Sequence, residues 1–212
     1  GRGMRRTIFI LSAMACLTML TPAHAQTATF NRFAIGMTLS NAKATDLGAG
    51  KYGSISIRCT DDAVHPSGLR LDAFDQSTGI VRCWPTQYIG SSLVRASIDL
   101  GNDVSATVEM SFRDDKLFQI ETVYDYLHFQ AISDGLTAKY GKPAAAKEGE
   151  VRNSVGGVFQ QTTKTWAVGT SRISYSAPFF NTKRMLVLYE DAATADQIAK
   201  ARREFEAKGL AL

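Results

Sequence analysis

The chain has 212 residues, 45% hydrophobic and 21% charged. That composition excludes intrinsic disorder and fits one domain. The formal net charge of +4 is largely an N-terminal effect: residues 1–25 hold Arg2, Arg5 and Arg6 and no acid, and the remainder carries +1. A nearly neutral remainder lacks the concentrated basic surface that displaces phosphate counterions, so nucleic acid is excluded as a partner.

In chain order, Met4-Arg5-Arg6 is a short positive segment, Thr7 to Leu20 is apolar and uncharged, and Thr21-Pro22 breaks the run. Ala23-His24-Ala25 then supplies the small-x-small pattern of signal peptidase sites. Residues 1–25 are therefore predicted to be a signal peptide, with Gly1-Arg2-Gly3 upstream of its initiator and cleavage before Gln26. This places the protein in the periplasm or outside the cell. The apolar run is shorter than the roughly 20 residues that span a bilayer. Cys16 is a poor lipidation site, because Ala13 stands where a lipobox wants leucine and the apolar run continues past it. No later segment is apolar enough for a transmembrane helix.

Two cysteines remain, Cys59 and Cys83. In an oxidising compartment such a pair is predicted to form a disulfide. The loop of about 25 residues that it closes corresponds to about 3 kcal/mol in the chain-entropy model. The spacing excludes a Cys-x-x-Cys redox motif.

Within 26–212, Thr38 or Ser40 can cap a short helix that Gly48 ends. Tyr52 to Cys59 alternates as a half-buried strand, and Thr60 to Ser77 reads as a long polar loop. Gly79 to Trp84 and Ser92 to Leu100 are strand candidates. Val104 to Phe112 and Leu117 to Tyr124 form a hairpin around Arg113-Asp114-Asp115-Lys116. Leu127, Ala131, Ile132, Leu136 and Tyr140 fall at helical spacing, and the helix stops at Gly141 with Pro143 beyond. Residues 144–157 are small or charged and read as a flexible linker. Val158 to Val168 and Ser171 to Ser176 form a second hairpin, followed by the denser strand Arg184 to Tyr189. A final helix spans about Thr194 to Lys208, with Ile198, Ala201, Arg202 and Phe205 on one face. Runs of antiparallel strands with helices at segment ends predict an α+β domain: antiparallel sheet with helices packed on one face, in a single compact unit.

Catalytic sets are thin. Ser40-Asn41-Ala42-Lys43 has the Ser-x-x-Lys spacing, but Ser133-Asp134-Gly135 and Lys164-Thr165-Trp166 each miss the accompanying serine β-lactamase motifs by one residue. Nucleophile elbow, P-loop, dinucleotide fingerprint and His-Glu-x-x-His are missing. Only His65 and His128 follow the signal segment, too few for a histidine metal site. Asp61, Asp62, Asp72 and Asp75 form the one acidic cluster, for which calcium is the alternative to a solvated loop, although the spacing matches no EF-hand. Asp114-Asp115 is turn chemistry. The aromatics Trp84, Trp166, Tyr175, Phe179 and Phe180 lie in or beside strands, where an exposed ring would mark a binding surface.

Phe33-Ala34-Ile35-Gly36-Met37-Thr38 resembles the F-x-x-G-M-[ST] phrase that precedes the first helix in small envelope proteins of the β-lactamase-inhibitor-protein-like fold, which include the BamE-like assembly lipoproteins. Leu136-Thr137-Ala138-Lys139-Tyr140-Gly141-Lys142-Pro143 resembles an L-x-x-K-Y-G-x-P phrase of secreted bacterial proteins of similar build. The resemblance implies helices on one face of an antiparallel sheet and contact with another protein, and it transfers no catalytic residue. The expected function is that of a soluble periplasmic, non-enzymatic interaction protein without cofactor, its partner another envelope protein. A carrier of a small lipid or metabolite, or an inhibitor of an envelope hydrolase, is the alternative.

Overall fold

Antiparallel pairing organises the chain in this computed structural model, which describes residues 26–66, 72–152, 156–179 and 183–209. The expected signal peptide and Phe180 lie outside the described residues. Two short hairpins come first, β1 (Thr29–Phe30) with β2 (Phe33–Ala34), then β3 (Ala49–Gly50) with β4 (Gly53–Ser54). The large sheet comprises β5 (Ser56–Cys59), β6 (Val81–Ile89), β7 (Ser92–Arg95), β8 (Ser97–Gly101), β9 (Val104–Arg113), β10 (Lys116–Asp125), β11 (Ala145–Arg152), β12 (Val158–Val168), β13 (Ser171–Ala177) and β14 (Arg184–Asp191). Its order is β11-β12-β13-β14-β10-β9-β6-β5, with β7 on β6 and β8 on β9. The strands before and after the central helix join where β14 pairs with β10, Val187 opposite Thr122. One sheet therefore passes through both halves of the chain.

Local chemistry accounts for the elements. Helix α1 (Leu39–Lys43) begins at Thr38, whose hydroxyl accepts from the Asn41 N–H at 3.3 Å. The β9–β10 turn places Asp114 at φ 51° and Asp115 at φ 61°. Two successive positive φ values match the right-handed twist of the flanking strands, and aspartate tolerates them better than most residues. Helix α3 (Phe129–Tyr140) stops at Gly141, φ 84°.

The expectation of an α+β domain with helices on one face is corrected. Strands take 49% and helices 25% of the described residues, so the protein is mostly antiparallel β with few helices. Nor do those helices share a face. Ala42 of α1 and Leu136 of α3 join the main apolar cluster with Phe33, Met110, Ile120, Trp166 and Ile173. Phe74 of α2 (Ala73–Thr78) instead forms a second cluster with Ile80 and Phe118, against which Ile198 and Ala201 of α4 (Ala192–Gly209) pack. The register shift between Leu117 and Gln119 makes this division local: Leu117 joins the first cluster and Phe118 the second.

Two further readings are corrected. The end of the expected Thr60 to Ser77 loop is instead helical: α2 (Ala73–Thr78) is capped by Asp72 and ended by Gly79 in the left-handed conformation. Ala145–Arg152, expected as part of a linker, is the edge strand β11, paired along its length with β12. Nearly all its residues are exposed, so burial imposes no apolar alternation, and its charges blunt an open edge.

Cys59 and Cys83 are directly opposed on β5 and β6 and form a disulfide. Among the described residues no helix is long and apolar enough to cross a membrane.

Candidate functional site

The face of the sheet turned toward α2 and α4 carries a groove of about 580 Å³. Its floor comes from alternate residues of three adjacent strands: Arg82 and Trp84 of β6, Glu109 of β9, and Gln119 and Glu121 of β10. Its wall comes from Asp72, Asp75 and Gln76 at α2 and Arg202 of α4. The neighbouring positions Cys83, Val108, Met110 and Ile120 point into the main core. Period-two alternation therefore delivers these charged side chains to one surface.

Trp84, 1% exposed, donates its indole N–H to Glu109 Oε2 at 2.8 Å. Arg82 bridges the floor to the wall by donating to Glu109 Oε1 and to both oxygens of Asp75. Burial would lower the Arg82 pKa, but the bonds to Asp75 and Glu109 outweigh it and raise the pKa above the ordinary value. Arg202 donates to Asp72 Oδ2 and Asp75 Oδ1, each at 2.9 Å, and lies 4.4 Å from the Phe74 ring centroid. The Arg202 bond holds the Asp72 carboxyl below its usual range.

Glu121 is different. It stands directly opposite Glu109 across the β9–β10 pair, and its carboxylate has no hydrogen-bond or ion-pair partner among the described residues. Burial raises its pKa, the Glu109 charge adds to the rise, and Arg82 and Arg95 oppose it. Arg95, at the end of β7, lays its guanidinium 4.4 Å from the Trp84 ring centroid. Its Nη1 reaches only to 3.9 Å from Glu109 Oε2, beyond hydrogen-bond length.

No protein-family model, curated protein or solved structure matches the chain.

The residues singled out in the sequence fall in different places. Trp84 underlies the groove. Trp166 and Tyr175, each 1% exposed, are core residues. Trp166 donates to the Gly141 carbonyl at 2.8 Å and Tyr175 to the Phe129 carbonyl at 3.0 Å, so both tie α3 to the sheet. Burial, with the charges of Tyr126, Asp134 and Glu148, pushes the Tyr175 phenol up to about 12. Phe179 is half-buried at the end of β13, and its N–H donates to the Arg184 carbonyl. The four described aromatics are not one surface.

The four aspartates divide into two cation-bound pairs. Asp61 and Asp62 share Lys43 Nζ at 3.3 and 2.9 Å, while Asp72 and Asp75 share Arg202. Calcium requires six to eight oxygens, and here protein cations already occupy these carboxylates. Cys59, which lies close to Asp61 and Asp62, offers no thiolate because its sulfur is in the disulfide.

Ser40 and Lys43 do not face each other: Ser40 Oγ lies 3.2 Å from Thr38 Oγ1, and Lys43 turns to the aspartates. Ser133 and Lys164, from the two incomplete motifs, do meet, with Nζ 2.7 Å from Oγ. Ser133 is a buried residue of α3, 2% exposed, so the contact joins helix to sheet and leaves the hydroxyl shielded from solvent.

Arg82, Arg95, Glu109, Gln119 and Glu121 carry no motif. Locally they are ordinary outward positions of amphipathic strands, and only the adjacency of β6, β9 and β10 assembles them.

Proposed function

We propose that this chain is a periplasmic, non-enzymatic binding protein of the bacterial envelope, and that the groove beside Trp84 receives part of another envelope protein. The Glu121 carboxylate carries the reading. It is a partly buried acid facing a like charge, without a hydrogen-bond or ion-pair partner among the described residues, beside a floor whose other charges are fixed by one another. Such a group destabilises the free protein and is accounted for if it meets a partner in the complex. Binding is favoured over catalysis because Glu109, the nearest second carboxylate, already accepts from Arg82 and Trp84 on separate oxygens. Among the described groove residues no free carboxylate pair is left. The disulfide and the N-terminal segment support the compartment. The groove, rather than an aromatic cavity, is where a ligand meets polar side chains, since Trp166 and Tyr175 are packed into the core.

The test is site-specific photocrosslinking in intact cells. A photoreactive residue at Gln76, exposed on the groove wall, is compared with one at Lys147, on the exposed strand β11. A protein-sized adduct from position 76 and not from 147 is expected. No adduct at 76, or the same adducts from both, overturns the reading.

A further inference from the structure

We propose that the groove recognises a guanidinium group, an arginine side chain of the partner, and that Arg95 holds its place in the free protein. This rests on the binding reading above and names the chemistry of what binds. Among the described lining residues, five carboxylates (Asp61, Asp72, Asp75, Glu109, Glu121) face three guanidiniums (Arg82, Arg95, Arg202), and one negative charge remains in excess once Asp61 is assigned to Lys43. The groove thus complements a cation. Arg82 and Arg202 are structural, each bound to two carboxylates.

Arg95 is not bound in that way. Its side chain is 44% exposed, its one ion pair among the described residues is the 3.9 Å approach to Glu109, and its guanidinium lies over the face of Trp84, 4.4 Å from the ring centroid. A flat cation on an indole, with carboxylates at its edge, is the arrangement that recognises guanidinium, which stacks on aromatics and bonds carboxylates in a fork. Arg95 occupies the stack without completing the fork, and Glu121 remains unpartnered. An incoming arginine takes the indole face from Arg95 and supplies Glu121 with its missing donors. Arg95, at a strand end, can leave without breaking a hydrogen-bonded side-chain contact.

The test uses N-acetyl-arginine amide as probe, with the citrulline and lysine analogues as neutral and ammonium controls. Binding is followed through the Trp84 indole N–H resonance in the intact, disulfide-bonded chain. Removing the competitor in Arg95→Ala should tighten arginine-probe binding about ten-fold. Adding Glu121→Gln to that variant should reverse the gain, and citrulline should leave the resonance unmoved. Arg95→Gln provides the same comparison should the alanine variant fold poorly. Equal binding by wild type and both Arg95 variants, or citrulline or lysine probes binding as well as arginine, overturns the inference. That failure is distinct from failure of the binding reading: a crosslink from Gln76 with no arginine-selective binding leaves the groove as an interface and removes only its guanidinium chemistry.

Discussion

Glu109 and Glu121 are direct cross-strand neighbours on β9 and β10, with Arg82 bound to the first and not to the second. Like charges directly opposite on a sheet destabilise it by up to about 1 kcal/mol. The folded-state pKa of Glu121 lies above its ordinary value of 4.5. Its contribution to stability is therefore fully present below that value and is lost as pH rises through the folded pKa. Glu121→Gln should raise the melting temperature at pH 7 by about 2–4 °C for a domain of this size. The gain should vanish in melts below about pH 4. A destabilised variant at pH 7 would show that Glu121 has a structural partner.

Trp84 adds a second dependence on Glu109. Trp84→Phe keeps most of the apolar bulk but removes the donor to Glu109 Oε2, at a cost of about 2 kcal/mol for a bond to a charged acceptor. In a double-mutant cycle with Glu109→Gln, urea unfolding should show coupling of about 1 kcal/mol. Additive losses would mean that Trp84 stabilises through packing alone.

Much of this fold is written locally. The expected strands from Val104 to Phe112 and Leu117 to Tyr124 match β9 and β10 because one face buries Val108, Met110 and Ile120 while the other carries Glu109 and Glu121. The terminal helix face of Ile198, Ala201, Arg202 and Phe205 is also present: the first two pack on the second cluster, Arg202 binds the α2 aspartates, and Phe205 meets Phe74. What remained hidden is non-local. The side of the sheet on which α2 and α4 pack depends on Phe118 leaving the phase of its strand at a bulge. β11 has no apolar phase because its edge position leaves it exposed. The groove required β6 beside β9, an adjacency that skips β7 and β8.

The disulfide ties the outermost strand β5 to β6. Replacing both cysteines, Cys59→Ala with Cys83→Ala, should cost about 3 kcal/mol in unfolding experiments. β5 is paired only with β6 among the strands of the sheet order, so its amides should show the largest rise in hydrogen exchange. Uniform acceleration across β9 and β10 as well would mean that the bond supports the whole sheet rather than its edge.

Asp75 is the junction between the groove's wall and floor. It is 5% exposed and accepts from Arg82 on β6 and Arg202 on α4 while belonging to α2. Asp75→Asn keeps the shape but leaves two partly buried guanidiniums short of an anion, and loss of one member of a buried pair costs about 3–5 kcal/mol. Asp72 is more exposed and bonds Arg202 alone among cations, so Asp72→Asn should cost less at neutral pH. Its carboxyl pKa is lowered in the fold, so its contribution is present above the ordinary value of 3.8 and lost as pH falls through the folded value. Urea unfolding at pH 7 should rank Asp75→Asn well below Asp72→Asn in stability. Hydrogen exchange should rise in α2 and α4 before β9 and β10. If Asp75→Asn is as stable as the parent chain, Arg82 and Arg202 are held by their other carboxylates, Glu109 and Asp72, and the wall docks through the Phe74, Ile80 and Phe118 cluster without its charges.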